Sequence, residues 1–305
     1  MPRRIKIGTR ASRLALVQSS IVSELLTEAL GDVTIELVKV ISKGDRDRTT
    51  ALSQMPEPGV FTRQLEADLF EGRFDLVVHS AKDLPSVMPE GLVTAAVPPR
   101  APVEDALVAN SGTTFAYLPE GAVIGTGSPR RAAQLLHVRP DLRIKEIRGN
   151  VETRLAKLDD GQYDALIMAR AGLTRLGLTE RIADLFDLST FLPAGGQGFL
   201  LVQARADNGI ILRDAALIDD PEARVCLAVE RNLLSELNAG CAAAVGCHAR
   251  FENDRLLLDA VVLDKSGKTR LHAFAEAESG QTEQNLARQV AADLIEQGAR
   301  ELMER

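Results

Sequence analysis

The sequence predicts an α/β fold in two lobes, with a small α+β domain after them. Three observations carry that prediction. Residues 5–41 run strand, turn, helix, strand, the grammar of a parallel sheet whose ligand edge lies at the strand carboxyl ends. The same grammar restarts at 104 and runs to 192, and Pro- and Gly-rich segments at 98–102 and 192–198 mark two crossings between lobes. From 221 the order changes to a helix, two strands around a turn and a terminal helix. The expected division is domain 1 at 1–98 with 199–217, domain 2 at 104–192 and domain 3 at 221–305.

In the first lobe, residues 5–8 read as a strand, and Thr9-Arg10-Ala11-Ser12 as the turn after it. Apolar residues at helical spacing (Leu14, Val17, Ile21, Leu25) predict a helix over 14–30, and alternation over 33–41 predicts a strand. Arg10 and Ser12 fall on the ligand edge. Ser12 reads first as the helix N-cap and only second as a ligand contact. The segment 42–59, rich in charge, Gly and Pro, reads as a mobile loop, and 60–71 as a helix. A buried strand over 74–79 ends in His79-Ser80-Ala81-Lys82-Asp83-Leu84-Pro85. Lys82 reads equally as a reacting group or as an ion-pair partner at the sheet edge. Asp83 reads as functional, because a carboxylate facing arginines is held ionised and in place. Residues 92–98 form a further strand.

In the second lobe the expected strands are 105–108, 122–124, 143–147 and 163–168, with 199–205 returning to the first sheet. The organising stretch is Gly125-Thr-Gly-Ser-Pro-Arg-Arg131. Ser128 as N-cap and Pro129 at the first helical position are helix start signals. Arg130 and Arg131 then lie in the first turn, where the helix dipole disfavours cations. Arg148-Gly149-Asn150 reaches the same edge from the next strand, and Arg154 lies one turn into the next helix. Pairing with surface acids such as Glu146 and Glu152 explains a single arginine. Four together, two of them against the dipole, predict a site for a ligand with several carboxylates or phosphates. Two lobes so joined place the arginines on one wall of a cleft and Asp83 on the other.

In the third domain, 221–237 reads as a helix with Asn238-Ala239-Gly240 as its C-terminal stop. Residues 256–263 and 269–277 read as strands and 284–303 as one amphipathic helix. Cys226 reads as core. Cys241, Cys247 and His248 lack metal-site spacing, so no metal is expected. A thiolate at Cys241 is disfavoured by the helix C-terminus before it. A remaining use is as a covalent anchor, alkylated once.

Bulk properties narrow the function. The chain has 305 residues, 45% apolar content and net charge −7. An acidic chain with two Tyr and no Trp is a poor nucleic-acid partner. No apolar run reaches a membrane span. A charged N-terminus entering a strand at once and an odd cysteine count fit the cytoplasm.

These motifs also carry a resemblance. With Gly8-Thr-Arg-Ala-Ser12, Thr153-Arg154, Ala171-Gly-Leu-Thr-Arg-Leu-Gly177, Gly196-Gln-Gly198 and the Gly240-Cys241 loop, the chain resembles the porphobilinogen deaminase (hydroxymethylbilane synthase) family over almost its whole length. The resemblance implies two domains folded like type II periplasmic binding proteins with a double crossover, followed by the small α+β domain. It implies a dipyrromethane cofactor, one per chain, thioether-linked to Cys241. It implies a transferase that joins four molecules of porphobilinogen head to tail, losing four ammonias, with water releasing hydroxymethylbilane. It implies a monomer without nucleic-acid or membrane partners.

By residue, the resemblance assigns catalysis to Asp83 with Lys82. Cys241, Arg130, Arg131, Asp83, Lys82, Ser128, Thr126 and Ser80 fall at cofactor-binding positions. Arg10, Ser12, Gln18, Phe61, Arg148, Gly149, Arg154, Arg175 and Gln197 fall at substrate-binding positions, although packing is an equal reading for Phe61. One departure stands out. The family's usual Gly-Gly-Lys-Gly-Leu-Phe is here Pro56-Glu-Pro-Gly-Val-Phe61, and Gln54 stands where a lysine is common. A rival reading is therefore a non-catalytic, two-lobed anion-binding protein with an altered lid. A second rival, a transferase that uses Cys241 as a turnover nucleophile, predicts a readily alkylated thiol.

Overall fold

A computed structural model describes residues 3–40, 62–85, 88–110, 112–240, 243–278 and 282–304. The expected loop at 42–59, together with Phe61 and Cys241, lies outside the described residues. The chain divides into two compact units, 1–101 with 198–224 and 102–197 with 225–305.

In the first unit, β1 (Arg3–Arg10) leads into α1 (Arg13–Leu30) and β2 (Val33–Val40). Then come α2 (Arg63–Phe70), β3 (Leu76–Ser80) and β4 (Leu92–Ala96). The last strand of this sheet comes from much later in the chain and is described with its neighbours below. Ser12 caps α1, its hydroxyl accepting from the Ala15 amide at 3.3 Å. One face of the sheet packs Ile5, Ile7, Leu76 and Val78 against Val22 and Leu26 of α1. The other packs Val77 and Phe74 against Leu65 and Leu69 of α2. The helices therefore cover both faces and leave the strand carboxyl ends open at Arg10 and Ser80.

The second unit begins with β5 (Asp105–Val108) and β6 (Val123–Gly125), followed by α3 (Pro129–Val138) and β7 (Arg143–Lys145). Next are α4 (Val151–Asp159), β8 (Ala165–Ala169), α5 (Arg170–Arg175) and β9 (Ile182–Leu185). The strand β10 (Leu200–Arg205) and α6 (Gly209–Ala215) belong to the first unit. The first sheet has the order β2-β1-β3-β10-β4 and the second β7-β6-β8-β5-β9. In each, among the described residues, three parallel strands are followed by one antiparallel strand, and the fifth strand pairs only with that one. The antiparallel strand is β10 or β5, the first strand after a crossing. The two sheets are thus mixed rather than all parallel, and share one topology. The short strand β9, too brief to show a period of two, is absent from the sequence reading.

The C-terminal part adds α7 (Pro221–Glu236) and an antiparallel sheet of β11 (Ala244–Glu252), β12 (Arg255–Leu263) and β13 (Arg270–Glu276). Two helices follow, α8 (Glu283–Glu296) and α9 (Ala299–Glu304). The single terminal helix expected over 284–303 is broken at Gly298, whose φ of +99° is closed to a helical turn. The sequence reading also lacks β11. Its first six residues, 244–249, are buried in succession, so it carries no alternation to read. This sheet rests on α3: Ala133 packs with Leu192, Ala244, Val261 and Leu263.

Candidate active site

In the first unit, β1, β3 and the N-terminus of α1 converge on a polar cavity of about 70 Å³. Arg10, Ser12, Gln18, Thr62, His79, Ser80 and Asp83 line it. These are the positions that end β1 and β3, so the parallel pairing of the strands is what brings Arg10 and Asp83 together. Gln18, on the buried face of α1, donates to the Ser80 hydroxyl at 2.7 Å and fixes the end of β3. Lys82 and Asp83 are exposed in the single 3-10 turn, Ala81–Asp83, that follows. Asp83 borders the cavity, whereas Lys82 is not among the lining residues.

Beneath the cavity lies a polar chain absent from the expectations above. His79 Nε2 stands 3.0 Å from Gln203 Oε1, and Gln203 Nε2 donates to Glu66 Oε1 at 3.2 Å. With the Gln203 amide turned so, His79 carries a proton on Nε2. Burial lowers the His79 pKa to about 4; the bond to Gln203 opposes that shift and the nearby Arg10 adds to it.

In the second unit the anion-site motif forms as its residues dictate. Ser128 caps α3 with Pro129 at its first position, and the Thr126 hydroxyl accepts from the Ser128 amide at 3.2 Å. The neighbouring β7 ends beside it, with the Thr126 amide on Lys145 O at 3.2 Å. Asn150 caps α4. Between Arg148 and that cap, Gly149 has φ of +117°, and a Cβ there would meet Thr153 at 2.6 Å.

The arginines divide into two kinds. Arg148 Nε donates to Glu146 at 2.9 Å, one of the two surface acids considered above. Arg154 Nε donates to Gly149 O at 2.8 Å, and both side chains keep partial exposure beside the α4 N-terminus. Arg130 and Arg131 instead turn inward and are 3% and 7% exposed. Their in-chain partner is Asp105, neither Glu146 nor Glu152. Arg131 Nε and Nη2 reach Asp105 Oδ1 at 3.0 and 2.6 Å, and Arg130 Nη2 reaches Oδ2 at 2.7 Å. Burial alone would raise the Asp105 pKa, but the two guanidiniums hold it well below the usual carboxylate range. Burial pulls the Arg130 pKa down, with Asp105 opposing. Two cations share one anion, so the buried group carries a net charge of +1. An unbalanced buried charge is costly unless a further anion arrives, and Arg130 Nε, also buried, has no hydrogen-bond partner among the described residues. The group therefore fits a ligand carboxylate.

Gln197 joins the same group. Its amide donates to Asp105 Oδ1 at 3.0 Å and Val103 O at 2.7 Å. Arg175 ends α5, apart from this cluster, and burial lowers its pKa to about 10. Asp105 is the residue the sequence reading missed. An acid opening a four-residue apolar strand, in Glu104-Asp105-Ala106-Leu107, was the available signal, since such an acid must be paired. Among the described residues no helix is long and apolar enough to cross a membrane.

Two family models match the chain, one described as "Porphobilinogen deaminase, dipyromethane cofactor binding domain" over residues 5–213 and one as "Porphobilinogen deaminase, C-terminal domain" over 224–296. Similar full-length proteins include the porphobilinogen deaminase of Roseiflexus sp. (strain RS-1), 43% identical with 99% of each chain covered. That of Acidothermus cellulolyticus is 45% identical over 98% of this chain and 91% of its own. Among solved structures, the methionine binding protein MetQ is 13% identical, covering 73% of this chain and 93% of its own at a TM-score of 0.46.

Proposed function

The chain belongs to the porphobilinogen deaminase family, and from that membership we propose that it is a hydroxymethylbilane synthase. It is a transferase of tetrapyrrole biosynthesis. It condenses four porphobilinogens head to tail on a dipyrromethane primer, releases four ammonias, and frees hydroxymethylbilane by hydrolysis. The observation that carries this reading onto the chain's own residues is the buried arginine pair with its surplus positive charge. Nothing in the comparisons favours the non-catalytic alternative.

Each pyrrole bears an acetate and a propionate, so the growing chain is a polyanion. Arg130 and Arg131, with Ser128 and Thr126 at the α3 N-terminus, would hold the primer's carboxylates. Arg148, Arg154 and Gly149 at the α4 N-terminus, with Arg175, would take those of later rings. A charge-assisted hydrogen bond contributes roughly 1.5–3 kcal/mol, so each arginine matters. The primer, attached to Cys241, would supply a nucleophilic ring carbon for bond formation with an activated aminomethyl pyrrole.

In the first unit, Arg10 with Ser12 and Gln18 would orient the incoming pyrrole's carboxylate in the polar cavity. Asp83, at its rim, would bind pyrrole N–H and offset the positive charge that develops as ammonia leaves. The same carboxylate would take the proton released from the ring carbon once the new carbon–carbon bond forms. Lys82 would neutralise a nearby carboxylate. Gln197 would act through Asp105, whose partner it is. Phe61 would lie against a pyrrole ring.

We further read the C-terminal segment from 221 as a third domain presenting Cys241, the protein as a monomer, and its compartment as the cytoplasm. The test is direct: incubate the purified protein with porphobilinogen and follow hydroxymethylbilane, with the intact mass and Cys241 peptide measured alongside. Two added pyrrole units on Cys241 with product formation support the reading. A bare Cys241 after incubation, with no product, would falsify it.

A further inference from the structure

The arginine pair is aimed by a residue that itself has no route to a ligand. Asp105 opens β5, and its side chain has no exposed area. Each group around it is pinned twice. Arg131 donates to Asp105 and, through Nη1, to Ile167 O at 3.1 Å. Arg130 forms an ion pair with Asp105 through Nη2 and donates, through Nη1, to Leu192 O at 2.6 Å. Gln197 donates to Asp105 and to Val103 O. Two guanidiniums and an amide thus share one carboxylate, and the backbone carbonyls fix their other ends. Without the carboxylate, two like charges would sit together in a buried space and repel. A neutral amide at 105 would keep one acceptor and set a donor against a guanidinium donor. Geometry and charge at the pair therefore depend on the same group.

We propose that Asp105 is a positioning residue for the reaction. It aims Arg130 and Arg131 at the carboxylates of the pyrrole chain and cancels one of their two charges. The inference rests on the functional reading above. It does not make Asp105 a reacting group, because its carboxylate is fully buried and engaged by Arg130, Arg131 and Gln197.

Purified holoenzyme carrying Asp105→Asn, Asp105→Glu or Asp219→Asn, beside the parent, tests it. Asp219 is the control: it anchors Arg224 Nε and the Val97 amide, each at 2.7 Å, within the first unit. Intact mass gives the fraction of chains loaded with primer, initial rates give KM and kcat, and melting gives stability. For Asp105→Asn we expect a KM at least tenfold higher and primer loading below half, with kcat per loaded chain changed less. Asp105→Glu, which restores the charge on a longer arm, recovers part of both. Asp219→Asn melts lower but keeps KM and loading within twofold of the parent. The inference is overturned if Asp105→Asn leaves KM and loading within twofold. It is also overturned if Asp219→Asn, at equal loss of melting temperature, reproduces the same changes. If Asp105→Asn does not fold, Asp105→Glu decides: a KM and loading within twofold of the parent overturn the inference. A parent that forms no product removes the functional reading and this inference together, whereas an active parent with an indifferent Asp105→Asn removes only the inference.

Discussion

Gln203 holds His79 in one tautomer. Its Oε1 lies 3.0 Å from His79 Nε2, and its own amide is committed to Glu66. Burial, working against that bond, keeps the imidazole neutral beneath the cavity that Arg10 and Asp83 border.

That neutrality has a pH signature. The folded pKa of His79 is about 4, below the ordinary value of 6.5. Between those values the unfolded chain binds a proton that the folded chain does not. The stabilisation is full above about pH 6.5 and is lost as pH falls toward 4, at no more than about 1.4 kcal/mol per pH step of one. Denaturant melts of parent and His79→Gln from pH 4 to 7 check this. The parent should lose more stability on acidification than the variant; parallel curves would remove His79 as the cause.

Removing one of the inward arginines should damage fold and function together. Arg131→Leu leaves Asp105 with Arg130 and Gln197 and breaks a buried ion pair, which costs about 3–5 kcal/mol. Calorimetry and intact mass read the result: a large fall in melting temperature and chains lacking primer. Arg148→Leu, whose ion pair with Glu146 is at the surface, should melt within about 1 kcal/mol of the parent, yet elongate poorly.

Asp83 should separate the two properties. It is exposed in a turn after β3, so Asp83→Ala should keep the melting temperature, with a change within about 0.5 kcal/mol. Turnover should fall at least a hundredfold. Substantial activity in a stopped assay with porphobilinogen would sink the catalytic role given to Asp83.

Cys241→Ser should yield a folded chain of unmodified mass that forms no product. Product formation by this variant, measured under the parent's conditions, would rule out covalent anchoring at Cys241.

Ser12 offers a stability prediction without chemistry. It caps α1, so Ser12→Ala should cost about 1 kcal/mol, read by urea unfolding. Porphobilinogen turnover by the folded fraction then shows whether the hydroxyl also contacts ligand.

Local rules made much of this legible. Ser12, Ser128 and Asn150 cap helices because their side chains satisfy free amides within three residues; the first two were read from the sequence. The apolar period placed α1, and β5 appeared with its bounds intact. What stayed hidden was long-range. The destination of Arg130 and Arg131 depends on Asp105, about 25 residues away in sequence and brought close only by the pairing of β5 with β8. The sequence therefore suggested free guanidiniums where the structure has a buried, shared ion pair. Likewise, Gln203 finds His79 across 124 residues through the β10–β3 register. The antiparallel sense of β5 and β10 comes from the route of the chain between lobes, which no periodicity encodes.

That route sets the order in which the protein can be made. Among the described residues β4 pairs only with β10, which begins at Leu200. Until the ribosome has delivered that segment, β4 has no neighbour and the first sheet is left as β2-β1-β3, with the β3 edge bare. At roughly 5–20 residues per second, the interval between completing β4 and receiving β10 is on the order of 5–20 s. A nascent chain stalled near residue 197 should bind a chaperone or pair with another copy at that edge, and release one further strand later should abolish both.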